Sequence, residues 1–319
     1  MRTFKSIKAS AHSRLPGWSM AAFLVGCASL HAAQPDLPFS MEQLSIGMPE
    51  AGAPLAVVGP YAVAKENPSN GPGLQVYRPR DLARFPASDT LPIVVWGNGG
   101  CRSDGRGSAA FLSTIASYGF LVVGSAPLPD NPGARITTVN LIRALDWAQA
   151  EASRAGSPLA GKIKSDAVAV MGNSCGGNLA LEAARDPRVD TLGMWNSGVW
   201  ISGEMRLADG TLLSATTKAD LAYVHSPTLY INGDKIDPAM INAADDFMRL
   251  DRVPVFFGSR HGSGHGGSYS HANGGEFANI AVAWLRWQLK GDKDSGKMFT
   301  GRDCKLCTDP NWTTQKKGL

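Results

Sequence analysis

Beyond residue 60 the chain alternates between two kinds of pattern. Short continuous apolar runs occur at Pro92–Trp96, Leu121–Gly124, Ala167–Met171, Thr191–Trp195, Thr228–Ile231 and Val253–Phe257. Runs this short, without polar alternation, predict strands buried on both faces, as in a parallel sheet. Between several of them the spacing changes. Val139, Ile142, Leu145 and Ala148 recur at helical intervals, as do Phe277, Ala281, Trp284 and Leu285, which predicts two amphipathic helices. Ahead of the first run, Tyr61–Lys65 and Leu74–Tyr77 flank the turn-rich Asn67-Pro-Ser-Asn-Gly-Pro-Gly73, the pattern of a hairpin. Strands alternating with helices predict an α/β domain built on a mainly parallel sheet. No repeat or composition break divides the later chain, so one domain is expected over residues 34–319, ending in a cysteine-bearing tail.

The first 33 residues read differently. Residues 1–16 are basic and free of acids, Gly17–Val25 is a short apolar run, and Gly26–Ala33 is rich in small residues. That order predicts a signal peptide over residues 1–33 and export to the periplasm or beyond the cell. The apolar run is too short to span a bilayer, and nothing later resembles a span. Leu24-Val-Gly-Cys27 also matches a lipobox, which offers a lipid-anchored N-terminus at Cys27 as the alternative. The leader also changes the charge. Formal net charge is +4, and Arg2, Lys5, Lys8 and Arg14 supply all of it before the first acid, Asp36. The chain beyond the leader is neutral and carries no electrostatic footprint for nucleic acid. A hydrophobic fraction of 44% is enough to build a core, which excludes disorder over most of the chain.

Without Cys27 four cysteines remain: Cys101, Cys175, Cys304 and Cys307. An even number in an exported protein predicts disulfides. Cys304-Lys-Leu-Cys307 has no second pair to complete a zinc site, so a local staple is expected there and no metal.

The chemistry concentrates after one apolar run. Ala167–Met171 leads directly into Gly172-Asn-Ser174-Cys-Gly176-Gly177, and helix-like Asn178–Ala184 comes next. This is G-x-S-x-G between a strand and a helix, the context in which the glycines allow a tight turn that lifts the serine to the sheet edge. On these residues the chain resembles the α/β-hydrolase fold, from about Tyr61 to Lys290. The resemblance implies a triad in the order nucleophile, acid, histidine. Ser174 takes the first place. In Leu229-Tyr-Ile-Asn-Gly233-Asp234-Lys-Ile-Asp237-Pro238, Asp237 fits better than Asp234, because the family's acid follows the strand-ending glycine by three or four residues. Of His261, His265 and His271, His265 is the expected base, since Gly264 and Gly266 leave its ring room to reach the serine. Gly97-Asn98-Gly99-Gly100-Cys101 falls where the fold places an oxyanion loop, which implies Asn98 N–H, or next Gly99, as one donor and Cys175 N–H as the other. In this fold Cys101 and Cys175 share a sheet edge, where they either form a disulfide or remain two buried thiols.

Within the superfamily the chain looks most like the secreted cutinase and polyester-hydrolase branch. Gly59-Pro-Tyr-Ala-Val63, Val282-Ala-Trp-Leu-Arg-Trp287 and the cysteine-bearing tail carry that similarity. The related dienelactone-hydrolase type has cysteine where Ser174 stands. The resemblance implies a serine esterase working through an acyl-enzyme, on small or polymeric esters, without cofactor. Only Asn196–Pro227 occupies the place of a lid, so an open cleft is expected, with Trp195, Trp200 and Tyr269 as either rim or ordinary packing. Two rival readings share the fold. A secreted serine peptidase of the prolyl-peptidase type needs a gating domain for which there is no room. A non-catalytic binding member should lack part of the triad, and no part is missing.

Overall fold

The structure, a computed structural model, describes residues 57–206 and 209–319; the leader and Cys27 lie outside the described residues. The predicted hairpin is β1 (Val63–Glu66) and β2 (Leu74–Pro79). The apolar runs follow as β3 (Leu91–Gly97), β4 (Leu121–Ser125), β5 (Ile163–Asn173) and β6 (Thr191–Trp195). After a small separate hairpin, β7 (Met205–Arg206) and β8 (Leu212–Ser214), come β9 (Thr228–Gly233) and β10 (Val255–Arg260). A last strand, β11 (Trp312–Lys317), completes a sheet of order β1-β2-β4-β3-β5-β6-β9-β10-β11. Its centre, β4 to β10, is parallel, and β1, β2 and β11 pair antiparallel at the two edges.

Strand geometry divides each apolar run between two cores. Ile93, Val95, Val168, Val170, Leu192 and Met194 point to one face and pack with residues of α2 (Thr138–Glu151), α3 (Cys175–Ala183) and α4 (Met240–Arg249). Their neighbours Val94, Trp96, Ala169, Met171 and Trp195 point the other way, against α1 (Ala109–Ser117) and α5 (Gly275–Lys290). Successive side chains alternate faces, so an uninterrupted apolar run is what a helix–sheet–helix sandwich requires. On α5 the predicted stripe Phe277, Ala281, Trp284 and Leu285 is the buried face; on α2 Leu145 and Ala148 are buried as expected, but with Leu141 and Ala144, while Val139 is exposed and Ile142 only partly buried.

One strand boundary needs correction. The run at Val253–Phe257 begins two residues late, because Pro254 has no N–H for the ladder, and it continues to Arg260, held by β9 and β11 on either side. In the cysteine-bearing tail, α6 (Lys293–Gly296), α7 (Lys305–Thr308) and β11 pack onto the second core through Phe299, Leu306 and Trp312. Between β6 and β9 the described residues hold only the β7–β8 hairpin and a 3₁₀ turn at Lys218–Tyr223, with no separate lid domain. Among the described residues no helix is long and apolar enough to cross a membrane.

Candidate active site

Strand β5 ends at Asn173 and α3 starts at Cys175, which leaves Ser174 alone in the turn with φ +53° and ψ −123°. A non-glycine residue held there is strained, and such strain persists only where its surroundings impose it. They do so from both sides. The Ser174 N–H donates to the Trp195 carbonyl at 2.9 Å, and the Ser197 hydroxyl donates to the Ser174 carbonyl at 2.8 Å. A Cβ at Gly172 would strike the Gly176 carbonyl, and one at Gly176 would strike that of Gly97. The glycines of the motif are therefore needed for the turn to pass this close to the loop after β3.

Three side chains from separate elements converge on this turn. His265, from the loop after β10, places Nε2 2.9 Å from the Ser174 hydroxyl and Nδ1 2.8 Å from Asp237 Oδ1. Asp237, four residues beyond the end of β9, is buried and accepts four hydrogen bonds. Oδ1 takes His265 and the Ala239 N–H at 3.0 Å; Oδ2 takes the Gly233 N–H at 2.9 Å and Asn196 Nδ2 at 2.7 Å. Burial pushes its proton affinity up, but the hydrogen bonds and charge of His265 and the donors of Asn196 and Ala239 outweigh that and hold its pKa below the ordinary value. The carboxylate thus stays ionised where the imidazole needs a negative partner.

The loop after β3 closes the other side. Gly99–Cys101 forms a 3₁₀ turn with Gly100 at φ +62° and Cys101 at φ +51°. Asn98 turns its side chain inward, where Nδ2 donates to the Arg102 carbonyl at 3.0 Å. Arg135 Nη1 donates to the Gly100 carbonyl at 2.7 Å. Cys101 is joined by a disulfide to Cys175, the first residue of α3, with Cα atoms 5.3 Å apart. Cys304 and Cys307 form the second disulfide, across α7.

The other candidates sit elsewhere. Asp234 accepts the N–H groups of Ile236 and Gly262 in an exposed turn. His261 directly follows β10, and its ring meets Thr313 on β11 at 2.8 Å. His271 precedes the 3₁₀ turn Ala272–Gly274. Trp195 and Tyr269 are not rim residues: both are buried among Phe111 and Phe277. Trp200 is half-buried against the first core. Sequence reading missed Asn196 and Ser197, which follow β6 and touch Asp237 and the Ser174 carbonyl respectively. The available signal was a polar pair, directly after a buried strand, at the edge where the serine also emerges.

A family model described as PET hydrolase-like matches residues 48–311, which include the whole constellation. A comparison with curated proteins finds no match.

Proposed function

The chain belongs to the PET hydrolase-like family, a cutinase and polyester-hydrolase type of α/β-hydrolase, and on that premise we propose that it is an exported serine hydrolase of carboxylic esters, polyesters included. Membership implies hydrolysis of ester bonds; the residues that perform it are our reading. One observation carries it: a single imidazole lies within hydrogen-bond distance of both the strained Ser174 hydroxyl and the buried Asp237 carboxylate.

In this reading His265 Nε2 takes the Ser174 proton as Oγ attacks the ester carbonyl, and Asp237 steadies the imidazolium through Nδ1–H. The carbonyl electron pair moves onto oxygen, where the N–H groups of Cys175 and Asn98 receive it. Collapse expels the alcohol, which takes the proton from His265, and leaves an acyl group on Ser174. Water, deprotonated by the same imidazole, releases the acid and restores the hydroxyl. The groups needed all belong to the chain, and no cofactor enters. The lack of a lid domain among the described residues supports a cleft open to chains as well as small esters. We further propose that residues 1–33 are an export signal and that residues 34–319 form one catalytic domain.

The test is purified wild type beside Ser174→Ala on a panel of short, medium, aromatic and polymeric esters, with a serine-directed phosphonate. Wild type should turn over and gain one phosphonyl group on Ser174. The variant should lose turnover and labelling while keeping its thermal transition. Near-wild-type hydrolysis by Ser174→Ala would overturn the assignment.

A further inference from the structure

The acid of the proposed triad has a partner that the triad chemistry does not explain. Asn196 is fully buried, with φ +39°, at the end of β6. Among the described residues only four non-glycine positions have positive φ, and Cys101, Ser174 and Asn196 all border this site. Asparagine tolerates that region better than most residues, yet holding it there still costs free energy. The conformation is fixed by main chain and side chain together. Its N–H donates to the Ile231 carbonyl at 2.7 Å. Its Nδ2 donates to Asp237 Oδ2 at 2.7 Å and to the Gly264 carbonyl, next to His265, at 3.2 Å. Its Oδ1 accepts from the Tyr269 hydroxyl, which in turn receives Asn173 Nδ2 at 3.2 Å. The amide is therefore oriented: with Oδ1 committed to a donor, only the NH₂ can face the carboxylate. Burial and the nearby Asp237 charge push the Tyr269 hydroxyl well above its ordinary pKa, so it remains a donor throughout the working range.

We infer that Asn196, aimed by Tyr269, is a positioning residue that fixes the plane of the Asp237 carboxylate and limits how tightly His265 holds its proton. The inference rests on the triad reading above. A carboxylate that shares its charge with a second donor on Oδ2 attracts the imidazolium on Oδ1 less strongly. The base then stays neutral, and able to accept the serine proton, to lower pH. The titratable groups facing Asp237 are His265 and Tyr269, both from the segment after β10. Asp234 on its own turn is tied to Gly262 and Ile236, with Lys235 and His261 as its charged neighbours. From α4, Asp245 and Asp246 are tied to Lys218.

The test is the pH dependence of kcat/KM on a soluble ester for wild type, Asn196→Gly and Tyr269→Phe. Glycine accepts the positive φ, so the first variant removes the donor without added backbone strain. Its acid limb should move to higher pH by about half a unit or more, with kcat on the plateau down severalfold and KM little changed. Tyr269→Phe should move the limb in the same direction by less. A limb that stays at the wild-type pH in folded variants, whatever happens to kcat, makes the contact merely structural and overturns the inference. If Asn196→Gly does not fold, Tyr269→Phe decides alone. Ser174→Ala is run beside them: turnover surviving that change removes the triad reading itself, an outcome separate from an unmoved limb.

Discussion

At the scale of the residue, three histidines compete for the proposed role of base, and geometry favours one of them. His265 bridges Ser174 and Asp237, whereas the His261 ring meets Thr313 on β11 and His271 precedes the 3₁₀ turn Ala272–Gly274. If His265 is the base as proposed, His265→Ala should cost kcat about three orders of magnitude or more. His261→Ala and His271→Ala should stay within about twofold, a change of under ~0.5 kcal/mol in the barrier. Initial rates on a soluble ester, with protein concentration fixed by phosphonate titration of the wild type and by absorbance for the variants, check this. A His261 or His271 variant that loses most of its kcat while His265→Ala keeps its own would move the role. Because Asp237 is held below its ordinary pKa, its carboxylate should stay ionised as the pH is lowered into the ordinary aspartate range.

At the scale of the element, the parallel core was legible because continuous apolar runs have few other uses, and the tight turn at Ser174 because its glycines stand between such a run and a helix. The strand β11 was not. Trp-Thr-Thr-Gln-Lys-Lys pairs along β10 through its backbone and fully buries only Trp312, and edge strands of this polar kind leave no apolar run to read. Asn196 and Tyr269 were illegible for a different reason. Their contacts join residues 173, 196, 237 and 269, which only the sheet order brings together. The two disulfides also act at this scale, with unequal consequence. Cys101–Cys175 closes 74 residues and ties the loop after β3 to the first turn of α3; Cys304–Cys307 closes three. By loop-closure entropy the first contributes about 4.4 kcal/mol and the second only about 1.6 kcal/mol. The double variant Cys101→Ala/Cys175→Ala should therefore melt well below Cys304→Ala/Cys307→Ala. It alone should also lose ester turnover, since both proposed oxyanion donors flank that bond. Thermal melts and initial rates of the two double variants, oxidised and reduced, read both effects. Equal losses in the two would deny the first disulfide any special place.

At the scale of the whole molecule, two buried carboxylates remote from Ser174, Asp237 and His265 respond to pH with opposite sign. Burial raises Asp246 to about 6, against the attraction of Lys218 and the donors of Val199 and Tyr230. The native state binds that proton more tightly than the unfolded chain, so this contribution to stability falls as pH rises from the ordinary aspartate value through about 6. Glu151 behaves the other way. Its hydrogen bonds from Arg154, opposed by burial and reinforced by Ser157 and Asn70, hold it at about 2. Those partners lie in the turn between β1 and β2 and in the loop that leads into β5, so one carboxylate at the end of α2 ties three segments together. Here the unfolded chain takes up the proton first. The stabilisation is complete above the ordinary glutamate value of 4.5 and disappears as pH falls through about 2. Glu151→Gln keeps the shape of the side chain but removes the charge and one acceptor. At pH 7 it should lower Tm by about 2–4 °C, and the gap to wild type should close as the pH is taken down toward 2. Its kcat on a soluble ester should be unchanged, because none of its partners touches Ser174, Asp237 or His265. A gap in Tm that persists unchanged at pH 2 would mean that packing, not charge, is what Glu151 supplies.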